Sequence, residues 1–164
     1  MGLFSGMSDA EVGTSKVYFL PGDYVVQIRR VIYKDGRRDK FYIAECLILE
    51  STNPERPKGT SASWLQKMSG ASAEVALGAI KGFLAACEGV DPLNKDAVTA
   101  AFTDQNGQDI SEEIATMSVD EAQNPLGGVV LRLNAVQGET KDGRAFTYHN
   151  WRPAQPGDEQ LANG

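Results

Sequence analysis

Histidine is almost missing from this chain and cysteine is scarce: among 164 residues there are one His, at 149, and two Cys, at 46 and 87. A single imidazole with no Ser or Cys spaced to partner it argues against the usual nucleophile–base pairs of hydrolytic enzymes. Two isolated cysteines cannot make a zinc-finger ligand set. Cys46 falls in an apolar strand-like run and Cys87 in an apolar helix-like run, so both read as buried free thiols in a reducing compartment. No apolar run approaches the roughly 20 residues that a membrane helix needs. The opening MGLFSGMSDA has no basic stretch followed by an apolar one, as a secretory leader would. It also carries Gly6 where a myristoylation pattern needs Ser or Thr. A cytoplasmic protein with no membrane contact is expected.

Positive charge is in deficit overall, with 16 Lys and Arg against 22 Asp and Glu and a net charge of −6. Bulk attraction to a polyanion is thereby excluded, but the distribution is uneven. From Gln27 to Ala44 six basic residues face two acidic ones, a local +4. From Glu88 to Pro125 one basic residue, Lys95, faces nine acidic ones, a local −8.

The run Gly22 to Glu50 reads as two long strands joined by a tight polar tip. Val26 and Ile28 alternate with Gln27 and Arg29, the period of a half-buried strand. The tip Lys34-Asp35-Gly36-Arg37 holds an Asp-Gly pair, which favours the positive-φ turns of hairpins. Prolines at 54 and 57 and Gly59 make residues 51–59 a loop. Thr60 to Lys67 is expected as a short third strand. Ala71 to Gly89 is the strongest helix signal, with Ser72 as N-cap, Leu77, Ile80, Leu84 and Cys87 on one face, and Gly89 as the stop. Gly78 and Gly82 cost it about 1 kcal/mol each relative to Ala, and their spacing suits close packing against a sheet.

The acidic stretch 90–126 predicts two short helices, Asn94 to Phe102 and Ser111 to Met117, as a surface insertion too small for its own core. A second hairpin follows, Gly128 to Val136 and Ala145 to Trp151. Its tip, Lys141-Asp142-Gly143-Arg144, repeats the first tip letter for letter. Residues 1–16 read as flexible and 153–164 as a disordered tail, leaving one domain over 17–152.

Strand, strand, strand, helix, insertion, strand, strand is the element order of a five-stranded OB-fold barrel, mainly β with a helix between strands 3 and 4. An α+β sheet with its helices on one face is the alternative. The phrases GDYVVQIRRVIYKDG, KGTSASWLQ, AIKGFLAACEGVDP and LGGVVLRLNAVQGETKDGRAFTYHNW, spanning residues 17–89 and 126–152, resemble bacteriophage-encoded single-stranded-DNA-binding proteins with an OB-fold. The resemblance implies binding of single-stranded DNA with little sequence preference in phage replication or recombination. It also implies the host cytoplasm as location and phage or host replication proteins as partners. The acidic, apolar-tipped tail through which many such proteins recruit partners is absent, since the last twelve residues hold only Asp158 and Glu159 as acids.

Single-strand binding needs cations along a groove and rings on which bases stack. The candidate cations are Arg29, Arg30, Lys34, Arg37, Arg38, Lys40, Lys58, Lys67, Lys141 and Arg144; the candidate rings are Tyr33, Tyr42, Trp64, Tyr148 and Trp151. Trp64 leads the rings because Ser61, Ser63, Gln66 and Lys67 make its strand polar. Phe41, Ile43, Leu47 and Leu49 are assigned to the core. His149 reads as a polar strand residue, and the acids of the insertion as a solvated helical face. No enzyme, cofactor or metal motif is present. The rival function is a protein–protein adaptor on the same scaffold, with the acidic segment as its contact surface.

Overall fold

The computed structural model describes residues 17–163, with only the backbone of Ser72 among them; the flexibility expected of residues 1–16 lies outside the described residues. Strands β1 (Gly22–Asp35), β2 (Lys40–Ser51), β3 (Ser61–Lys67), β4 (Val130–Glu139) and β5 (Ala145–Pro153) form one antiparallel sheet in the order β3-β2-β1-β4-β5. Its length comes from β1, which has to serve two neighbours. Ile28 pairs with Cys46 and Arg30 with Glu45, so Arg29 is an extra residue without an opposite number. Before this bulge β1 lies between β2 and β4; beyond it, only β2 continues alongside. A bulge bends its strand and sharpens the twist, which lets so long a hairpin curl over a core.

Rings fill that core. Phe83 lies 5.0 Å from both Trp64 and Trp151, which are themselves 5.5 Å apart, and Tyr42 closes the group at 6.2 Å from Phe83. These tilted and edge-on contacts are the arrangements that aromatic quadrupoles favour. Strands β3 and β5 are not paired with each other, so the sheet is open. The segment before β1 lies at this seam. Val17 accepts a hydrogen bond from the Ser63 amide at 2.7 Å, and Phe19 is buried against Tyr24, His149 and Trp151. Arg56 donates to the Tyr18 carbonyl at 2.7 Å and Tyr24 to that of Leu20 at 2.6 Å, which fixes the strap on both sides.

The helix after β3, α1 (Ala73–Cys87), buries Ala76, Ile80, Phe83 and Leu84, at the three- and four-residue spacing of a helical stripe. Leu77, expected on that stripe, is instead 55% exposed, because the stripe is centred one residue earlier, on Ala76. Gly89 ends the helix with φ +81°, its amide donating to Ala86 while Val90 donates to Ala85, a Schellman cap. The expected close packing at the two helical glycines is not seen at Gly78, where an added Cβ would meet nothing within 4 Å. The acidic insertion forms α2 (Lys95–Ala101) and α3 (Ser111–Ser118) and is docked, not loose. Phe102 is buried, Ser118 shares a 2.8 Å hydrogen bond with the Tyr42 hydroxyl, and Asn124 donates to the carbonyl of the bulged Arg29 at 2.9 Å.

The tail corrects its expectation of disorder. Residues 154–163 fold back, with a 3-10 helix over Glu159–Asn163, and Leu161 and Ala162 pack against Val25, Leu49 and Val130. Asp158 anchors them. Its buried carboxylate accepts two bonds from Arg132, at 2.7 and 3.0 Å, and one from the Gln155 amide. Composition hid this because a few small apolar contacts and one ion pair tie the short segment down.

Candidate nucleic-acid interface

Strand pairing sorts the candidate residues into faces. Val31, Ala44 and Trp64 form a buried row across β1, β2 and β3, so the rows on either side of it point outward. The outermost of these is Lys34–Phe41–Lys67, a ring between two cations. Next comes the apolar row Ile32–Ile43–Leu65, and then Arg30–Glu45–Ser63. Direct cross-strand neighbours stand about 4.5–5.5 Å apart at Cβ, so each row is a contiguous strip. The loop Gly36–Asp39 carries Arg37 and Arg38 beyond its end, with Lys40 at the start of β2.

Not every cation here is free to meet a phosphate. Arg30 donates to both oxygens of Glu45, at 2.7 and 3.2 Å, and this pairing raises its pKa further. Lys67 lies 3.3 Å from Asp39 and Arg144 3.0 Å from Asp142. Such exposed pairs are worth about 0–1 kcal/mol and open readily. Arg29, Lys34, Arg37, Arg38, Lys40, Lys58 and Lys141 make no ion pair among the described residues.

The ring assignments need correction. Trp64 is 1% exposed; Tyr42 and Trp151 are equally sealed, and all three belong to the core. None of them can stack a base without unfolding. Three of the polar neighbours of Trp64, namely Ser61, Ser63 and Lys67, misled because they occupy the other face of β3, while Trp64 points at Phe83; Gln66 shares its face, opposite Tyr42 near the strand end. Tyr33 and Tyr148 are exposed, at 38% and 49%, but neither joins the outer face of the first hairpin. Tyr33 sits in the row with Tyr42, on the concave side. Tyr148 lies over Gly138 on the second hairpin, edge-on to Phe146 at 4.1 Å. Phe41, assigned to the core from sequence, is the half-buried ring on the cationic strip; Leu47 is likewise only half-buried, while Ile43 and Leu49 are buried. A tight Asp-Gly turn would have set Lys34 opposite Arg37; the four-residue loop Gly36–Asp39 sets it opposite Phe41 instead, a register that no local pattern in the sequence announces.

The two Lys-Asp-Gly-Arg tips are not equivalent and do not share a trough. In the first, Lys34 and Asp35 are still strand, and Gly36 does not take positive φ; its amide donates to Asp39 at 2.9 Å. In the second, β4 ends at Glu139 and Gly143 takes φ +83°, as an Asp-Gly turn ordinarily does. Gly22 at the start of β1 pairs with Ala135, and β4 then runs on past that end. Lys141 and Arg144 therefore leave the sheet at the opposite end of β1 from Arg37 and Arg38. Lys58 stands apart as well, on the loop between β2 and β3.

His149 faces the core opposite Ala135, and burial holds its pKa down at about 4. Its Nε2 and the indole nitrogens of Trp64 and Trp151 meet no hydrogen-bond partner among the described residues. Cys46 and Cys87 are free thiols whose pKa burial pushes up, the reverse of what a nucleophile needs. Among the described residues there is no group of three or more His, Cys, Asp or Glu arranged to hold a metal ion, and no helix is long and apolar enough to cross a membrane. The chain matches no family model, and no curated protein matches it.

Proposed function

We propose that this chain binds single-stranded DNA with little sequence preference, across the outer face of β1, β2 and β3. The observation that carries the reading is the Lys34–Phe41–Lys67 strip, extended by Arg37, Arg38 and Lys40 at the hairpin's end. Cations spaced around a half-exposed ring supply the two ingredients of sequence-tolerant single-strand binding, phosphate attraction and a stacking plane. The segregated charge supports it: a protein of net charge −6 still offers a strand one locally basic ribbon. Element order and the open five-stranded sheet are in keeping with an OB-fold, a partly open Greek-key barrel that uses this region for oligonucleotides. With the resemblance to phage-encoded proteins, a role in phage DNA replication or recombination follows.

The test is a fluorescence-anisotropy titration with a labelled oligo-dT of about 30 bases, longer than a single OB-fold site. Binding that tightens as salt is lowered supports the proposal, because phosphate contacts release counterions. No binding at low salt to oligo-dT or a mixed-sequence single strand of the same length would remove it.

A further inference from the structure

On the concave side of the same hairpin, α1 and α3 border a cleft of about 730 Å³. Its walls are apolar, built from Tyr33, Met68, Leu77, Ile80, Ala115 and Val119. Leu77 stays half exposed there, with Val75 and Met117 still more so on the two flanking helices. Gly78 lines the cleft from the middle of α1, where it weakens the helix by about the largest amount any residue but proline does. Nothing in the described chain needs the missing side chain, since a Cβ at 78 would enter open space. A glycine in that position lets another backbone come close.

The charges around the cleft choose the occupant. Lys81 and Glu112 are the charged residues lining it. Lys81 is drawn aside, its Nζ 3.8 Å from Asp109 and 5.7 Å from the centre of the Phe102 ring. Glu112 has no ion pair among the described residues and is followed by Glu113, within a segment carrying −8. With Lys81 held by Asp109, the unpaired charge on the lining, among the described residues, is the Glu112 carboxylate, on the acidic first turn of α3. An apolar trough with a carboxylate rim, open at a helical glycine, suits helix-in-groove recognition.

We infer that the α1–α3 cleft docks a basic amphipathic helix of a partner protein, its apolar side chains against Leu77 and its backbone over Gly78. The inference does not depend on DNA binding, because it uses the opposite side of the hairpin.

A fluorescein-labelled leucine–lysine peptide of about four helical turns, with leucines on one face, serves as the probe. It is expected to bind the full chain, while a leucine–glutamate peptide of the same pattern does not. Leu77→Glu should weaken the leucine–lysine peptide by about tenfold or more, the loss of one apolar anchor. Pure charge attraction would instead be strengthened by that added carboxylate, so unchanged or tighter binding overturns the inference. Gly78→Ala should raise Tm by about 2–4 °C through helix propensity alone, which shows that the site tolerates a side chain when empty. Gly78→Leu should then weaken the peptide about tenfold in a protein that remains folded. No effect of Gly78→Leu on peptide affinity also overturns it. So does concentration-dependent self-association in sedimentation velocity that Leu77→Glu abolishes, because a second copy of the chain would then be the occupant.

Discussion

Lys67 stands directly across the β2–β3 ladder from Phe41, and the same row reaches Lys34 on β1. The proposed binding face is therefore tied to one register rather than to a composition. Phe41→Ala is expected to weaken oligo-dT binding about 5- to 150-fold, corresponding to the 1–3 kcal/mol of a stacked base. Anisotropy titration of the variant checks this, and wild-type affinity would show that the ring is not a platform.

Cations on the strip and off it should differ in salt dependence. Lys34→Ala and Lys67→Ala are each expected to flatten the slope of log K against log salt by about 0.7, the share of one single-strand phosphate contact. Lys141→Ala, at the far end of β1, is expected to leave the slope as it is. A larger effect at Lys141 than at Lys34 would move the site to the second hairpin.

His149 makes stability depend on pH. Its folded pKa, about 4, lies below the ordinary 6.5, so the unfolded chain takes up a proton first as pH falls. The imidazole's contribution is complete above pH 6.5 and is lost as pH drops toward about 4. Between about pH 7 and 4.5 this costs about 2–3 kcal/mol. Urea unfolding at both pH values should show a drop larger by that amount in the wild type than in His149→Gln. Equal drops would place the imidazole in contact with solvent.

Asp158 holds the tail by its bidentate contact with Arg132, which keeps its pKa below the usual carboxylate range against the opposing effect of burial. Asp158→Ala is expected to destabilise the protein by about 2 kcal/mol, the range for charge-assisted hydrogen bonds. It should also make residues 154–163 open to carboxypeptidase at neutral pH. Resistance equal to that of the wild type would mean that Leu161 alone keeps the segment in place.

Much of the fold was legible because its signals are local. Alternation marked β1, three- and four-residue spacing marked α1, and Gly89 marked its end, all within a residue or two of where they fall. Face assignment was harder. On β2 apolar residues occupy both faces, since Ile43 is buried on the outer side while Ala44 and Cys46 are buried on the inner. A strand of this kind shows no period, so Phe41 and Trp64 exchanged roles. The bulge at Arg29 and the anchoring of Asp158 depend on partners far away in sequence, Asn124 and Arg132, which no local pattern reveals. The two identical tips diverged because the strand pairing around each, not the tetrapeptide, decides where its turn begins.

The single ladder between β1 and β4 joins the two hairpins, and it brings together residues as far apart as Gly22 and Ala135. Each hairpin can form from near neighbours, whereas their union closes a loop that contains α1, α2 and α3. The rate-limiting step of folding is thus expected to be this late encounter, and shortening the acidic segment would alter its speed more than the stability of the finished sheet.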